Sequence, residues 1–210
     1  MGRSKLILPW RGRAIIEDVV ERAAGAAGEV VVVTGHDAGA TAAALRNFDR
    51  VQIIHNSDYA DGEMISSVKA GVAALPKTCE AFFLVLGDQP GVAASTYARL
   101  SDAWRANPQA RIVSPTWNHR RGHPVLFSAA GIDDILNLWP DETLKTFVSR
   151  HAANSIEVQV DDPAISADVD TPEQYDRLIR ADEVEMNVET GSPSCPTETT
   201  AAAAAVAAAD

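Results

Sequence analysis

The chain has 210 residues, of which 46% are hydrophobic, and this is enough for one well-buried domain of ordinary size. Its 18 Lys and Arg against 29 Asp and Glu give a formal charge of -11, which argues against binding to nucleic acid or to an anionic membrane. Cys79 and Cys195 lie far apart, so neither a disulfide framework nor a zinc site is indicated and a reducing cytoplasm is expected. No segment approaches the ~20 apolar residues of a membrane-spanning helix.

Apolar runs alternate with helical patterns for most of the chain. In order they are AIIEDVVERAAGAAG, EVVVVTG, AGATAAALRNF, VQIIHN, MISSVKAGVAAL, AFFLVLG, AASTYARLSDAWRANP and ARIVSP. Because strands alternate with helices, the pattern predicts an α/β fold with a mostly parallel sheet covered on both faces. An extended HPVLFS, two helical stretches, the strand SIEVQV and a helix starting near Pro172 follow.

The composition changes near Met186 to Glu, Thr, Ser and Pro, followed by TTAAAAAVAAAD. This segment carries little apolar surface with which to dock as a core element. We therefore predict one domain over residues 1–185 and a disordered Ala/Thr-rich tail over 186–210. A frayed helix in the alanine run is the alternative, since alanine has the best intrinsic helix propensity.

The strongest local signal is LVLGDQP, in which an apolar strand runs into Gly87, Asp88, Gln89 and Pro90. In open α/β sheets, ligands bind outside the carboxyl ends of the strands, so a carboxylate placed there can hold a metal or a substrate. We therefore predict that Asp88 is a metal ligand. The alternative is a turn that only starts the next helix.

A second acidic segment, SADVDTPEQY, carries Asp168 and Asp170 just before Pro172, where a helix is predicted to begin. We expect the two carboxylates to point to opposite sides of the segment, so that only Asp170 faces the metal. Together with Asp88 it would supply two hard oxygen ligands, which suit Mg²⁺ bound jointly with substrate phosphates. The alternative is an ordinary helix N-terminus, for which Asp or Thr before Pro is also typical.

Six segments occur in the order found in one enzyme family: MGRSKLILPWRG, VVVTGHDA, HNSDYADGEMISSVKAG, LVLGDQP, RGHPVLF and DVDTPEQY. Through them the chain, from Met1 to about Arg180, resembles the molybdenum cofactor cytidylyltransferases and the related guanylyltransferase-like, MobA-like NTP transferases. The resemblance implies a Rossmann-like, three-layer nucleotidyltransferase fold. It also implies transfer of a nucleoside monophosphate, CMP from CTP, to a phosphorylated molybdopterin-type cofactor with release of pyrophosphate.

The resemblance also assigns roles to residues that would otherwise be ordinary loop or helix positions. Lys5 is similar to the lysine that reaches the triphosphate, so with Asp88 it would serve catalysis. The residues that would contact the nucleotide or the pterin are Gly62, Ser66 and Ser67, then Gly35 and His36, and then Gly122, His123 and Pro124. Without the family context, these three groups belong to an amphipathic helix, a turn after a strand and a polar hairpin.

The sequence departs from the family pattern at two places. After HPVLF, relatives carry a Gly-Asp turn ending in an arginine, whereas this chain has LWPDETLK, in which Lys145 offers a point charge instead of a planar fork. Relatives also carry a first strand and a Gly-rich, phosphate-binding turn before the position of Met1. We therefore expect the first strand to be missing, through a start assigned too late or a truncation, and a slot in the sheet with open strand edges.

The resemblance, taken with the two acidic segments, implies a Mg²⁺-dependent transferase that acts on CTP and a molybdopterin-type cofactor. A molybdenum enzyme or its maturation chaperone is a further expected partner. Asp88 and Asp170 would converge on one cation and align the triphosphate for attack. Two alternatives stay open: a sugar-phosphate nucleotidyltransferase or glycosyltransferase of the same fold, and a non-catalytic binding module without the phosphate-binding turn.

Overall fold

The computed structural model of the chain describes residues 4–59, 64–186 and 202–207. The strands in these ranges are β1 Pro9–Trp10, β2 Arg13–Ala14, β3 Glu29–Thr34, β4 Val51–His55, β5 Ala81–Leu86, β6 Ile112–Trp117, β7 Arg120–Arg121, β8 Val125–Ser128, β9 Ser155–Gln159 and β10 Ala202–Ala207. The α-helices are α1 Ile15–Ala26, α2 Ala38–Ala44, α3 Met64–Ala73, α4 Ala94–Ala106, α5 Ile132–Leu136, α6 Leu144–Arg150 and α7 Pro172–Met186.

One large sheet organises the described part of the chain. Its strand order is β4-β3-β10-β5-β8-β6-β7, and β9 pairs with β6. The pairings β4–β3, β3–β10, β10–β5 and β6–β9 are parallel, whereas β8 and β7 run antiparallel to their neighbours. The short strands β1 and β2 form a separate hairpin. The predicted α/β class with a mostly parallel sheet is confirmed.

Helices cover both faces of the sheet. Successive side chains of a strand point to opposite faces, so Val30 and Val32 of β3 pack in the cluster that contains α1 and α4. Val31 and Val33 pack in the other cluster, with α3, α5 and α6. The result is the predicted three-layer arrangement. Within the described ranges, no helix combines the length and the apolar character needed to cross a membrane.

The centre of the sheet differs from the prediction. The slot between β3 and β5 is filled by β10, in which residues 203–206 are at most 3% exposed. Residues 202–207 therefore form a strand of the sheet, whereas the sequence predicted a disordered tail over 186–210. The rest of the segment after 186 lies outside the described residues, and the domain boundary at 185 stays a prediction.

Close helix packing explains why alanines suit this slot. On α3, a Cβ added to Gly71 would lie 3.0 Å from Val33 and 3.5 Å from Ala205, so the helix lies directly against the sheet here. Alanine has a weak intrinsic preference for strands, but small side chains fit where a helix approaches a strand closely. Tertiary packing therefore decides the conformation of β10.

Candidate active site

The predicted site residues gather at one edge of the sheet. The carboxyl ends of the parallel strands β3, β4 and β5 lie at this edge, and the antiparallel β8 begins there, because Val125 pairs with Leu84. The loops that follow β3 and β5, and the segment that precedes β8, therefore carry their side chains to a common region. This is where ligands bind in sheets of this kind.

Lys5, Asp88 and Asp170 meet at this edge. The Lys5 Nζ lies 2.7 Å from Asp88 Oδ2 and donates a hydrogen bond of 2.9 Å to Asp170 Oδ1. Asp88 comes from the loop after β5, Asp170 from the segment before α7, and Lys5 from a short 3-10 turn near the start of the chain. The two carboxylates thus converge on one cationic group, as the sequence-based hypothesis required; their role as metal ligands stays a prediction.

Burial and charge act in opposite senses on this group. Burial alone would lower the pKa of Lys5, but its hydrogen bonds to Asp170 and Asp88 outweigh burial and raise that pKa. Burial raises the pKa of the Asp88 carboxyl, which is only 3% exposed, although the Lys5 ammonium opposes this. Among the described residues, Asp88 Oδ1 has no hydrogen-bond partner. A buried oxygen without a partner carries a desolvation penalty that a cation beside it would relieve.

The donor set suits a divalent cation that is shared with a substrate. Asp88 and Asp170 would supply two hard oxygen ligands, and phosphate oxygens and water would complete the coordination, as is typical of Mg²⁺ at nucleotide sites. In the described part of the chain, no group of three or more His, Cys, Asp and Glu is placed to hold a metal alone. Asp88 and Asp170 would therefore leave most coordination positions of such an ion to phosphate oxygens and water.

Asp168 takes part in the same cluster. The Gln89 Nε2 donates a hydrogen bond to Asp168 Oδ1. Burial is the main cause that raises the pKa of Asp88, Lys5 opposes it, and the negative charge of Asp168 raises that pKa further. The N–H of Val169 donates to the Asp88 carbonyl oxygen at 3.2 Å. The expectation that Asp168 and Asp170 point to opposite sides was wrong, because residues two apart on an extended segment share a side.

The predicted Ser66 and Ser67 lie in the first turn of α3, where Asn56 holds them. The Asn56 Nδ2 donates to both hydroxyl oxygens, at 2.9 and 3.0 Å. Asn56 directly follows β4, is 5% exposed, and donates its own N–H to the Thr34 carbonyl at 2.9 Å. Sequence reasoning missed Asn56, although an asparagine directly after a predicted strand was a usable signal. Gly62 lies outside the described residues.

Gly35 and His36 follow β3 at the same edge, the glycine buried and the histidine exposed. The His36 ring centroid lies 6.2 Å from that of Tyr59, and Tyr59 lies 6.1 Å from His55. His36 is therefore part of a small aromatic group at the ends of β3 and β4. Its contact with a nucleotide stays a prediction.

Gly122, His123 and Pro124 lead into β8, and the His123–Pro124 peptide bond is cis. A Cβ at Gly122 would lie 2.0 Å from the Ile165 carbonyl oxygen, so the close approach that requires glycine here is to the chain's own backbone.

The His123 Nδ1 lies 3.3 Å from the Leu84 carbonyl oxygen. Burial lowers the pKa of His123, and the Leu84 carbonyl and nearby carboxylates oppose this. Ligand contacts of Gly122, His123 and Pro124 stay predictions.

The fold and the site together define a class of protein. A mostly parallel sheet lies between two layers of helices, and a lysine and two carboxylates lie at its carboxyl edge. This arrangement is typical of Rossmann-like nucleotide-dependent enzymes. Residues 1–156 match the MobA-like NTP transferase domain family, and the chain belongs to this family.

Two curated relatives cover most of the chain. The nicotine blue oxidoreductase of Paenarthrobacter nicotinovorans is 33% identical over an alignment of 189 residues, which covers 85% of this chain and 90% of the relative. The molybdenum cofactor cytidylyltransferase of Escherichia coli (strain K12) is 27% identical over 175 residues, 83% of this chain and 86% of the relative. The two relatives are named for different reactions, so the family assignment alone leaves the substrate open.

A solved structure of the Rv0371c protein of Mycobacterium tuberculosis H37Rv, in complex with manganese, is also similar. It shares 28% sequence identity and superposes with a TM-score of 0.69, covering 86% of this chain and 94% of that chain. A divalent metal has therefore been observed in a homologue of the same fold.

Proposed function

We propose that this protein is a nucleotidyltransferase that moves CMP from CTP to a phosphorylated molybdopterin-type cofactor and releases pyrophosphate, with Mg²⁺ as its metal. The observation that carries the proposal is the convergence of Asp88 and Asp170 on one cationic group at the carboxyl edge of the sheet. Membership of the MobA-like family and the cytidylyltransferase relative support the reaction class and the substrates. A molybdenum enzyme or its chaperone would receive the product.

In the proposed reaction, an acceptor phosphate oxygen attacks the α-phosphorus of CTP. A new P–O bond forms as the bond from the α-phosphorus to the bridging oxygen breaks, and pyrophosphate leaves. Mg²⁺, when bound, would neutralise charge on the phosphate oxygens. Asp88 and Asp170 would hold the ion, and the Lys5 ammonium would contact the triphosphate.

Positioning supplies most of the catalysis in such a reaction, and no side-chain nucleophile is required. The N-terminal turn of α3, with Ser66 and Ser67, would bind the nucleotide through hydroxyl groups and the favourable end of the helix dipole. Asn56 would keep these serines in place, because it donates to both of them. The buried position of Asp88 strengthens its interaction with cations by excluding water.

The test is Asp88→Ala assayed for pyrophosphate release with Mg·CTP and a molybdopterin acceptor. We expect turnover to be abolished while the circular dichroism spectrum and thermal transition persist. The matched control is Asp102→Ala, which removes an exposed carboxylate paired with Arg105 on α4 and should leave turnover unchanged. Near-normal activity of Asp88→Ala would eliminate the proposed site.

The choice of substrate needs a wider panel. Each of the nucleoside triphosphates should be offered with molybdopterin and with sugar-phosphate acceptors, and only CTP with molybdopterin should release pyrophosphate at a high rate. Release with a sugar phosphate would assign the chain to a sugar-nucleotide reaction. Absence of release with every pair, together with tight Mg·CTP binding, would indicate a binding module.

A second candidate is reduction of nicotine blue or a similar compound, because the relative named for that reaction has the higher identity of the two curated relatives. The discriminating measurement is the loss of nicotine blue absorbance in the presence of an added two-electron reductant. Rapid reduction without pyrophosphate release in the parallel assay would replace the transferase proposal.

A further inference from the structure

The Lys5 ammonium occupies the position that a shared cation would take. Its Nζ contacts Asp88 Oδ2 at 2.7 Å and Asp170 Oδ1 at 2.9 Å, and its side chain is only 13% exposed. Mg²⁺ holds oxygen ligands at about 2.0–2.1 Å, so each carboxylate would need to move inward by less than about 1 Å to bind an ion there. The same two oxygens therefore serve either the ammonium or a metal.

We propose that Lys5 is a built-in counter-cation that excludes free divalent metal from the site and leaves it only when a triphosphate arrives. The proposal rests on the metal pair of the proposed function. It implies that the metal binds together with the nucleotide, because the triphosphate supplies both the missing metal ligands and new anionic partners for the displaced ammonium.

Electrostatics gives the physical reason. The carboxylates of Asp88 and Asp170 carry like charges, and the ammonium that contacts both of them offsets their repulsion. A divalent ion arriving alone would displace the Lys5 ammonium and leave it beside a like charge without its two carboxylate partners. Phosphate oxygens change this balance, since Lys5 exchanges two carboxylates for a triphosphate. Metal and triphosphate should therefore bind with positive coupling, each increasing the affinity for the other.

The hydrogen bonding of the Asp88 carboxylate also favours replacement of Lys5 by a metal ion. Its Oδ2 is held by Lys5, but its Oδ1 is buried and has no hydrogen-bond partner among the described residues. The carboxylate is thus only half satisfied by the ammonium. A cation with a larger charge, once its remaining ligands are supplied, is the better partner for this buried group.

The experiment measures Mn²⁺ binding by the full chain without nucleotide, from the amplitude of the free-ion electron paramagnetic resonance signal. We expect Lys5→Met to bind Mn²⁺ on the order of tenfold more tightly than the wild type, because the competing charge is gone. Lys5→Gln, which keeps a hydrogen-bond donor without the charge, should behave in the same way. Because inorganic triphosphate itself binds Mn²⁺, its effect is measured by calorimetry with the preformed Mn·triphosphate complex, which should bind the wild type at least as tightly as Lys5→Met.

Two controls make the result specific. Lys69→Met removes a positive charge from α3, where the Lys69 Nζ donates to the Leu138 carbonyl oxygen, and should leave Mn²⁺ affinity unchanged. Asp88→Asn combined with Lys5→Met should lose the gain. Unchanged or weaker Mn²⁺ binding by folded Lys5→Met and Lys5→Gln would overturn the proposal, as would a gain that survives Asp88→Asn. Because no turnover is measured, the inference can hold even if pyrophosphate release is never observed.

Discussion

Burial sets the charge state of several side chains around Asp88. The His123 ring lies beside β5, where its Nδ1 approaches the Leu84 carbonyl oxygen. Burial lowers its pKa from the ordinary value of 6.5, and the nearby Asp168 and Asp88 only partly offset this. His123 is therefore neutral at neutral pH, and the folded chain resists protonating it.

This charge state predicts a loss of stability in acid. The unfolded chain takes up a proton as the pH falls through about 6.5, whereas the folded chain does so only at lower pH. The contribution of His123 to the free energy of unfolding should therefore be complete above pH 6.5. It should be lost as the pH falls from 6.5 to the lower pKa of folded His123. Urea titrations of the wild type and His123→Asn across this range should show a smaller pH slope for the variant.

The control for this slope is His119→Asn, in the exposed turn between β6 and β7, where φ is 62° and asparagine is tolerated. It tests whether the slope belongs to His123 or to histidine content in general. Equal slopes for the wild type and His123→Asn would show that the buried histidine does not control acid stability.

Gly122 is constrained by backbone packing. A Cβ there would lie 2.0 Å from the Ile165 oxygen and 2.6 Å from the Ile165 carbonyl carbon. Because backbone atoms cannot move aside as a flexible side chain can, we expect Gly122→Ala to lower the free energy of unfolding by about 3 kcal/mol. Thermal and urea unfolding measure this change.

The matched control is Gly25→Ala, on the exposed side of α1, where an added Cβ meets nothing within 4 Å. This substitution should raise stability by about 0.5–1 kcal/mol, since alanine is the better helix former. If both glycine variants behaved alike, the tight contact with Ile165 would not constrain the native chain.

Such residues also show what the sequence can predict. The convergence of Asp88 and Asp170 was predictable, because Asp88 directly follows an apolar strand and Asp170 directly precedes a helix start. The ends of parallel strands also share one edge of the sheet. Gly122 was predicted to contact a ligand, but the close approach that requires a glycine there is to the backbone of Ile165. A contact between residues so distant in the chain leaves no local pattern in either segment.

The loop that carries Asp88 is fixed by neighbouring elements. Gly91, with φ of 85°, donates its N–H to Asp18 Oδ2 on α1 at 2.9 Å. Arg22 Nε donates to the same oxygen at 2.7 Å, and Arg22 Nη1 donates to the Val92 carbonyl at 3.0 Å. The buried Asp18 thus joins α1 to the loop between β5 and α4.

Asp162 holds the other end of this loop. Its Oδ2 accepts hydrogen bonds from the Ala93 N–H at 2.9 Å and the Thr96 hydroxyl at 2.6 Å. It therefore anchors the start of α4 from a distant segment, while the N-cap residue Ala93 has no side-chain oxygen that could cap the helix. Two buried carboxylates that bind no substrate in the proposed reaction thus define where the Asp88 loop lies.

Asp18→Ala should therefore reduce both stability and metal binding. It removes the acceptor for the Gly91 N–H and leaves the charge of Arg22 without its partner in a mostly buried place, which we expect to lower the free energy of unfolding by about 3 kcal/mol. The affinity for the preformed Mn·triphosphate complex should also fall, since the Asp88 loop loses its anchor. Asp102→Ala, at an exposed ion pair on α4, should change stability by less than about 1 kcal/mol. A stable Asp18→Ala with normal Mn²⁺ binding would show that the loop positions itself.

At the scale of the whole domain, the central feature is β10, a strand that the sequence did not predict. β10 hydrogen-bonds to β3 on one side and β5 on the other, and its residues pack in both core clusters. The buried run AFFLVL of β5 was predictable, since a strand covered on both faces is apolar throughout. An alanine run carries no such signal, because its burial follows from how closely α3 approaches the sheet.

Cys79 reports whether β10 is in place. Its Sγ donates to the Ala81 carbonyl at 3.0 Å, and burial raises the pKa of the thiol, with backbone hydrogen bonds to Ala203 of β10 and to Ala81 opposing this. Deletion of residues 187–210 removes β10 and also Cys195, so that Cys79 becomes the only thiol. The full-length comparison is Cys195→Ser, which keeps β10 and has the same single thiol.

We expect the deletion to open two strand edges and expose the core beneath α1 and α3, because both neighbours of β10 lose their partner. Cys79 should then react faster with a thiol reagent than in Cys195→Ser, and its reaction should reach half-maximal rate at a lower pH, because the burial that raises its pKa is lost. A synthetic peptide of residues 199–210, added to the deleted chain, should slow the reaction again by refilling the slot. The opposite outcome is that Cys79 reacts equally slowly in the deleted chain and in Cys195→Ser, and that both proteins unfold at the same temperature. The sheet would then be stable without β10, and residues 187–210 would be dispensable for the fold that holds Lys5 between its two carboxylates.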